Sequence, residues 1–196
     1  MAHILNRTFK AFVILLSSML AALALSGCSE SPRQQANQSI ESANEEISAH
    51  DELYEEARAL YEDSRDSAQE EGGESGESTA QAQSISEARR TMQQARGRLQ
   101  QAREEISGIR DLDVSAELLE YSRALDEALE DQIRAEQREI DFYEIAEEDP
   151  ALEDDRERAI GILAEAEDAY EEAEEGYERA AEIGDSTPQM AAPQSE

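Results

Sequence analysis

Beyond residue 35, apolar side chains recur three and four residues apart in four stretches, and the spacing predicts four long amphipathic helices at about 36–70, 81–110, 115–147 and 150–183. In the first, Ala36, Ile40, Ala43, Ile47, His50, Tyr54, Ala57, Tyr61, Ser64 and Ala68 alternate in steps of four and three. One side of that seam carries isoleucine and tyrosine, and the other carries alanine with His50 among them. The second stretch is stricter: Ile85, Met92, Leu99 and Ile106 hold one set of positions and Ala88, Ala95, Ala102 and Ile109 the other. Four unbroken heptads call for coiled-coil-like packing. In the third, Leu118, Leu129 and Ile140 stand eleven apart, with Leu125, Ile133 and Tyr143 completing the stripe, which suits a nearly straight helix. The fourth returns to heptads through Leu152, Ala159, Leu163, Ala166, Tyr170, Ala173, Tyr177 and Ala180, large residues beside small ones that let helices interdigitate.

Polar punctuation sets the limits of these helices. Residues 71–80, rich in Gly, Ser and Glu, read as a flexible linker. Asp111, Asp113 and Ser115 are all candidate N-caps for the third helix. Asp149-Pro150 fits a cap followed by a first helical position. Gly184 marks the end of the fourth helix, and residues 184–196, with two prolines, read as a disordered tail. Rods of about 30–35 residues span about 45–50 Å each. Matched lengths and short turns predict an all-α fold, an antiparallel up-down-up-down four-helix bundle over residues 36–183. The alternative is a compact three-helix unit with the first helix splayed on its linker.

Charge narrows the partners. The chain carries 48 acidic against 17 basic residues, for a net charge of −31. Nucleic acid and anionic headgroups would be repelled by such a surface. Lys10 is the only lysine. Acid excess with lysine depletion fits either a protein of concentrated brine or a GC-rich genome. In both cases self-repulsion is large at low ionic strength and salt screens it.

The N-terminal segment reads differently. Arg7 and Lys10 precede an apolar run over residues 11–25, and the sole cysteine, Cys28, follows in Leu25-Ser26-Gly27-Cys28. Fifteen residues broken by Ser17 and Ser18 are short of the roughly 20 that a spanning helix needs, and a basic start plus apolar run is the pattern of a secretory signal. Leu-Ser-Gly-Cys resembles the lipobox of bacterial lipoproteins, a resemblance that covers the first 28 residues alone. It implies a signal peptide over 1–27, cleavage between Gly27 and Cys28, and a diacylglyceryl group with acyl chains such as palmitate on the Cys28 sulfur. Residues 28–35 would then form a tether, and the net charge would fall to −33 once two positive charges leave with the signal. The implied location is the extracytoplasmic face of the cell membrane or the outer membrane. Ser29 stands where some lipoproteins carry an inner-membrane-retaining aspartate, which points toward the outer one.

Other motifs add less. Tyr54-Glu55-Glu56-Ala57 with Tyr61-Glu62 matches Tyr170-Glu171-Glu172-Ala173 with Tyr177-Glu178, placing paired tyrosines on two seams. Glu136, Glu139, Phe142 and Tyr143 are reminiscent of ferritin-like di-iron helices. That chemistry also takes Glu-x-x-His ligands, whereas His50 is the one histidine after residue 27 and Ile47 stands three before it. Glu136 therefore reads as a polar break in the stripe, and His50 as a packed, hydrogen-bonded residue of the seam. Asp111/Asp113 and Glu153-Asp154-Asp155 lack the central glycine and terminal glutamate of a calcium loop, and read as solvated caps. No residue set proposes catalysis, a metal or a cofactor. The expectation is a non-enzymatic, lipid-anchored envelope lipoprotein with a structural or protein-interaction role, its partners being the membrane through Cys28 and either a basic envelope protein or further copies of itself. The alternative is an extracytoplasmic ligand- or cation-binding helical module.

Overall fold

The structure is a computed structural model that describes residues 31–71 and 77–186, and no side chain between 68 and 79. Among the described residues there are four long helices, α1 (Pro32–Glu71), α2 (Glu77–Gly108), α3 (Ala116–Glu148) and α4 (Arg156–Ser186), a 3₁₀ turn at Ile109–Asp111, and no strand. This is the all-α bundle that the spacing predicts. Helix α1 packs along α2, α2 along α3, and α3 along α4. Ion pairs fix the directions. Arg98 meets Glu46 at 3.0 Å, Arg89 meets Glu147 at 2.9 Å, and Arg138 and Arg179 reach Glu165 and Glu127 at 3.0 and 3.3 Å. In each adjacent pair, later residues of one helix face earlier residues of the next. The helices therefore run up, down, up and down, and α1 is not splayed.

Capping explains where the helices begin, and two expected boundaries move. Helix α1 starts at Pro32, so residues 32–35 belong to the rod and not to a tether. Ser31 Oγ accepts from the Gln34 amide at 3.3 Å, and Gln34 Oε1 accepts from the Ser31 amide at 3.0 Å. With Pro32 at the first helical position this is a capping box, a signal present in Ser-Pro-Arg-Gln. Ser115 caps α3, accepting from Leu118 N at 3.3 Å. The fourth helix starts at Arg156 instead of 150. Asp149 closes α3, donating its amide to Ile145 O at 2.9 Å, and its carboxylate accepts from Asp154 N at 3.0 Å to fold the loop back. Leu152 lies in that loop, not on the fourth helix, in the left-handed region at φ 52°. Its half-buried side chain packs on the cluster of Tyr54, Phe142 and Tyr143, which offsets a backbone cost of about 1–2 kcal/mol. Helix α4 continues past Gly184 to Ser186. The linker read over 71–80 is helical at both ends, and its centre, 72–76, lies outside the described residues, as do the tail residues 187–196.

The core is unevenly supplied. All eight seam residues of α2, from Ile85 to Ile109, are fully buried. Each large aliphatic among them contributes about 1.5–3 kcal/mol. The third-helix stripe is as expected, Leu118, Leu125, Leu129, Ile140 and Tyr143 being buried and Ile133 half-buried. Asp126 is also buried there, held by Arg103 Nε at 3.0 Å and by Arg110 of the 3₁₀ turn, which clamps the α2–α3 connection.

Helix α4 departs from the reading. Leu163 is 39% exposed, and the buried face is Ala159, Ala166, Ala169, Ala173, Gly176 and Ala180. Alanine methyls supply only about 0.8 kcal/mol each. Adhesion of α4 thus depends on close approach, which Gly176 permits: a Cβ there would lie 2.8 Å from Ala128 Cβ and 3.1 Å from its Cα. Gly161, in contrast, has nothing within 4 Å of a built Cβ. Gly176→Ala is expected to destabilise by about 1–3 kcal/mol through overpacking, and Gly161→Ala to stabilise by about 0.5–1 kcal/mol through helix propensity. Urea unfolding of the two variants checks this, and shifts of the same sign would contradict the close α3–α4 contact.

Candidate functional site

The column Ala36, Ala43, His50, Ala57 and Ser64 is buried throughout α1, and four of its five members are small. The imidazole is its one large polar interruption, midway along the rod. On α3 the stripe Leu129, Gln132, Glu136 and Ile140 is interrupted at the same level by an amide and a carboxylate. The two interruptions face each other. His50 Nε2 lies 2.6 Å from Glu136 Oε1, and both side chains are 0% exposed. The other ring nitrogen, Nδ1, lies 2.9 Å from Asp51 Oδ1.

Two carboxylate acceptors decide the protonation state. A neutral imidazole has one N–H, and only imidazolium donates from both nitrogens. Burial pushes the His50 pKa down, but the Glu136 charge and the hydrogen bonds to Asp51 and Glu136 outweigh it and hold the ring up at about 9. The network extends into the fourth helix: Gln132 Nε2 donates to Glu136 Oε1 at 3.3 Å, and Tyr177 OH donates to Gln132 Oε1 at 2.5 Å. A single hydrogen-bonded chain therefore crosses from α4 through α3 to α1. Glu136 Oε2 is buried without a partner, which adds a desolvation cost of about 1–3 kcal/mol or more for a charged group.

A second polar group sits one turn further along α3. Tyr170 OH donates to Glu139 Oε2 at 2.7 Å, and burial keeps that phenol well above its ordinary range. Burial raises Glu139 to about 7, against the Tyr170 hydrogen bond that lowers it and with Glu136 adding repulsion. Tyr54 stacks on His50 at 5.6 Å, meets Tyr170 edge-on at 6.4 Å, and lies under the Arg58 guanidinium at 5.8 Å. Tyr61, Phe142 and Tyr143 form an aromatic cluster with centroids 5.2–5.7 Å apart beyond it.

His50 and Glu136, read separately from the sequence as a packed histidine and a polar break, are thus each other's partner. The matched tyrosine pairs also have a meaning: Tyr54 and Tyr170, the first members, touch. Asp111 and Asp113 are exposed at the α2–α3 connection, while Asp154 and Asp155 lie in the loop before α4. Among the described residues no three His, Cys, Asp or Glu side chains are grouped to hold a metal ion. Gly27 and Cys28 lie outside the described residues. Surface grooves of about 360 and 280 Å³ occur near the end of α3, one beside Arg138, Arg158 and Ile162 and the other beside Arg89 and Glu147, and neither includes His50. No protein-family model, curated protein or solved structure matches the chain.

The geometry can store a proton and fix a register. His50→Ala leaves Glu136 buried and uncompensated, with an expected loss of about 3–5 kcal/mol, whereas the double variant His50→Leu/Glu136→Leu recovers most of it. Chemical denaturation of the three chains measures this, and additive losses would deny the pairing. The pH dependence has a fixed sign. The folded value of Glu139 lies above its usual 4.5, so its contribution is complete below pH 4.5 and lost toward pH 7; that of His50 lies above 6.5, complete below it and lost through about pH 9. Stability is expected to fall continuously from about pH 5 to 9. Glu139→Gln should flatten the lower half of a denaturation-midpoint profile and His50→Leu the upper half. A midpoint that rises between pH 5 and 9 would contradict both assignments.

Proposed function

We propose that the chain is a non-enzymatic, lipid-anchored lipoprotein of the cell envelope, with a structural or protein-interaction role on the extracytoplasmic face of the cell membrane or outer membrane. The observation that carries this reading is Leu25-Ser26-Gly27-Cys28 standing four residues ahead of the first residue of α1. Four residues reach at most about 14 Å, while the 40-residue α1 extends about 60 Å. A lipid on Cys28 would hold the base of the bundle at the bilayer. That base comprises the start of α1, the 3₁₀ turn and the end of α4, and the α3–α4 loop would project outward. Among the described residues no helix is long and apolar enough to cross a membrane, so attachment in this reading falls to the acyl chains. A filled rod with an acidic surface suits a spacer or a docking element.

A ligand- or cation-binding role is the second reading, favoured by the unpartnered Glu136 Oε2. Calorimetry with Ca²⁺, Mg²⁺ and iron separates the two, since saturable, stoichiometric heat belongs to the second alone. For the first, mass spectrometry of the natively expressed protein is expected to find an N-terminal, diacylglyceryl-modified Cys28, with Cys28→Ala left unprocessed. An unmodified thiol or an intact Met1 would overturn it.

A further inference from the structure

Residues 159–164, Ala-Ile-Gly-Ile-Leu-Ala, are six consecutive non-polar residues, the longest such run after residue 30. A helix against one neighbour turns only part of six such residues inward. Ala159 is buried and Ile162 half-buried, but Ile160 is 59% and Leu163 39% exposed, and Gly161 and Ala164 are exposed beside them. Ile160 and Leu163 are the exposed large hydrophobics of the described residues. Gly161 has no internal justification either, because nothing lies within 4 Å of a Cβ built there. A weaker helix former flanked by exposed isoleucine and leucine has the shape of a notch for another backbone.

The position of the patch agrees. Leu163, Tyr170 and Tyr177 stand seven apart on one stripe, and Tyr170 meets Tyr54 of α1, so the stripe faces α1. Helices α1 and α4 nevertheless do not pack along each other as the other neighbours do. The seam between them is open at the level of Leu163.

Charge decides what fits. Exposed Glu157, Glu165, Glu167 and Asp168 rim the patch, and a second copy would bring a second acidic rim against the first. The segments 72–76 and 187–196 contain no basic residue. We propose that Ile160, Gly161, Leu163 and Ala164 dock an amphipathic helix of a partner protein, one that presents two or three apolar side chains at helical spacing with arginine or lysine on its flanks. This gives the interaction role a partner chemistry and rests on that reading, but not on the state of Cys28.

The probe is a labelled 18-residue Leu/Lys amphipathic helix, titrated by fluorescence anisotropy with the natively expressed protein held in phosphatidylcholine nanodiscs at physiological salt. The comparison peptide has the same composition in scrambled order. Ile160→Glu/Leu163→Glu is expected to weaken binding at least tenfold. Because the two added carboxylates attract lysine, such a loss comes from the missing apolar contact. Gln94→Glu/Gln100→Glu, at exposed positions of α2, should change binding less than twofold, and circular dichroism should show both variants equally helical. The scrambled peptide should bind at least tenfold more weakly. Equal binding of the two peptides, equal binding by the Ile160/Leu163 variant, or no binding at all would overturn the proposal. Concentration-dependent dimerisation abolished by Ile160→Glu/Leu163→Glu would instead make a second copy the occupant. Mass spectrometry at Cys28 is independent of these titrations, so failure of the anchor and failure of the docking surface are separately visible.

Discussion

The contact between His50 and Glu136 is the constraint on which the bundle depends. Two helical hairpins, α1–α2 and α3–α4, are each packed along their length and are joined through α2 and α3. The 2.6 Å hydrogen bond crosses the centre from the free side of the first hairpin to the second. Its net stabilisation is small, because burying two charges consumes most of what their attraction returns. Its specificity is large. A slip of α1 by one heptad would place Ala43 or Ala57 opposite the carboxylate, and a buried charge without its partner costs several kcal/mol. Alanine columns pack almost equally well in several registers, and the imidazole makes one of them the answer.

Such a lock is needed because the apolar supply is lopsided. Helix α2 contributes isoleucine, leucine and methionine at every heptad, while α4 contributes alanines and a glycine. The fourth helix is held by close approach at Gly176, by phenol hydrogen bonds from Tyr170 and Tyr177, and by rim pairs such as Arg138–Glu165. Exposed pairs of that kind contribute at most about 1 kcal/mol each. The tyrosines matter more, since each buries a ring and satisfies a polar group of α3 in the same step.

Most of this architecture was legible as periodicity. The α2 seam reads correctly at every position, because strict heptads leave one way to place the apolar face. The fourth helix was misread at Leu163 for a physical reason: with Ala169 and Gly176 available, α4 rotates to bring its smallest residues against α3, and the leucine turns outward. Its start was misread because Asp-Pro fits the end of one helix and the start of the next equally well. The capping box at Ser31 was visible and overlooked. The pairing of His50 with Glu136 was not legible, since they are 86 residues apart and nothing local in either helix names the other. Each interruption was recognisable alone, and only the bundle register brings them together.

The acidic surface and the protonated core form one electrostatic system. A chain with a net charge of −31 surrounds His50 with negative potential, so a positive charge at the centre is attracted in every direction in addition to its two contact partners. The same field opposes ionisation of Glu139, adding to the burial and the Glu136 charge that already raise it. Salt acts on the two parts differently: distant surface carboxylates are screened beyond about 8–10 Å, whereas the buried contact pair is shielded from ions by the helices around it. Brine would therefore relieve the repulsion between rods while leaving the lock intact. The same screening would weaken a basic partner's long-range attraction more than its apolar grip on Ile160 and Leu163. An acidic rod built in this way keeps its internal register at any ionic strength, and its partner is selected increasingly by shape as salt rises.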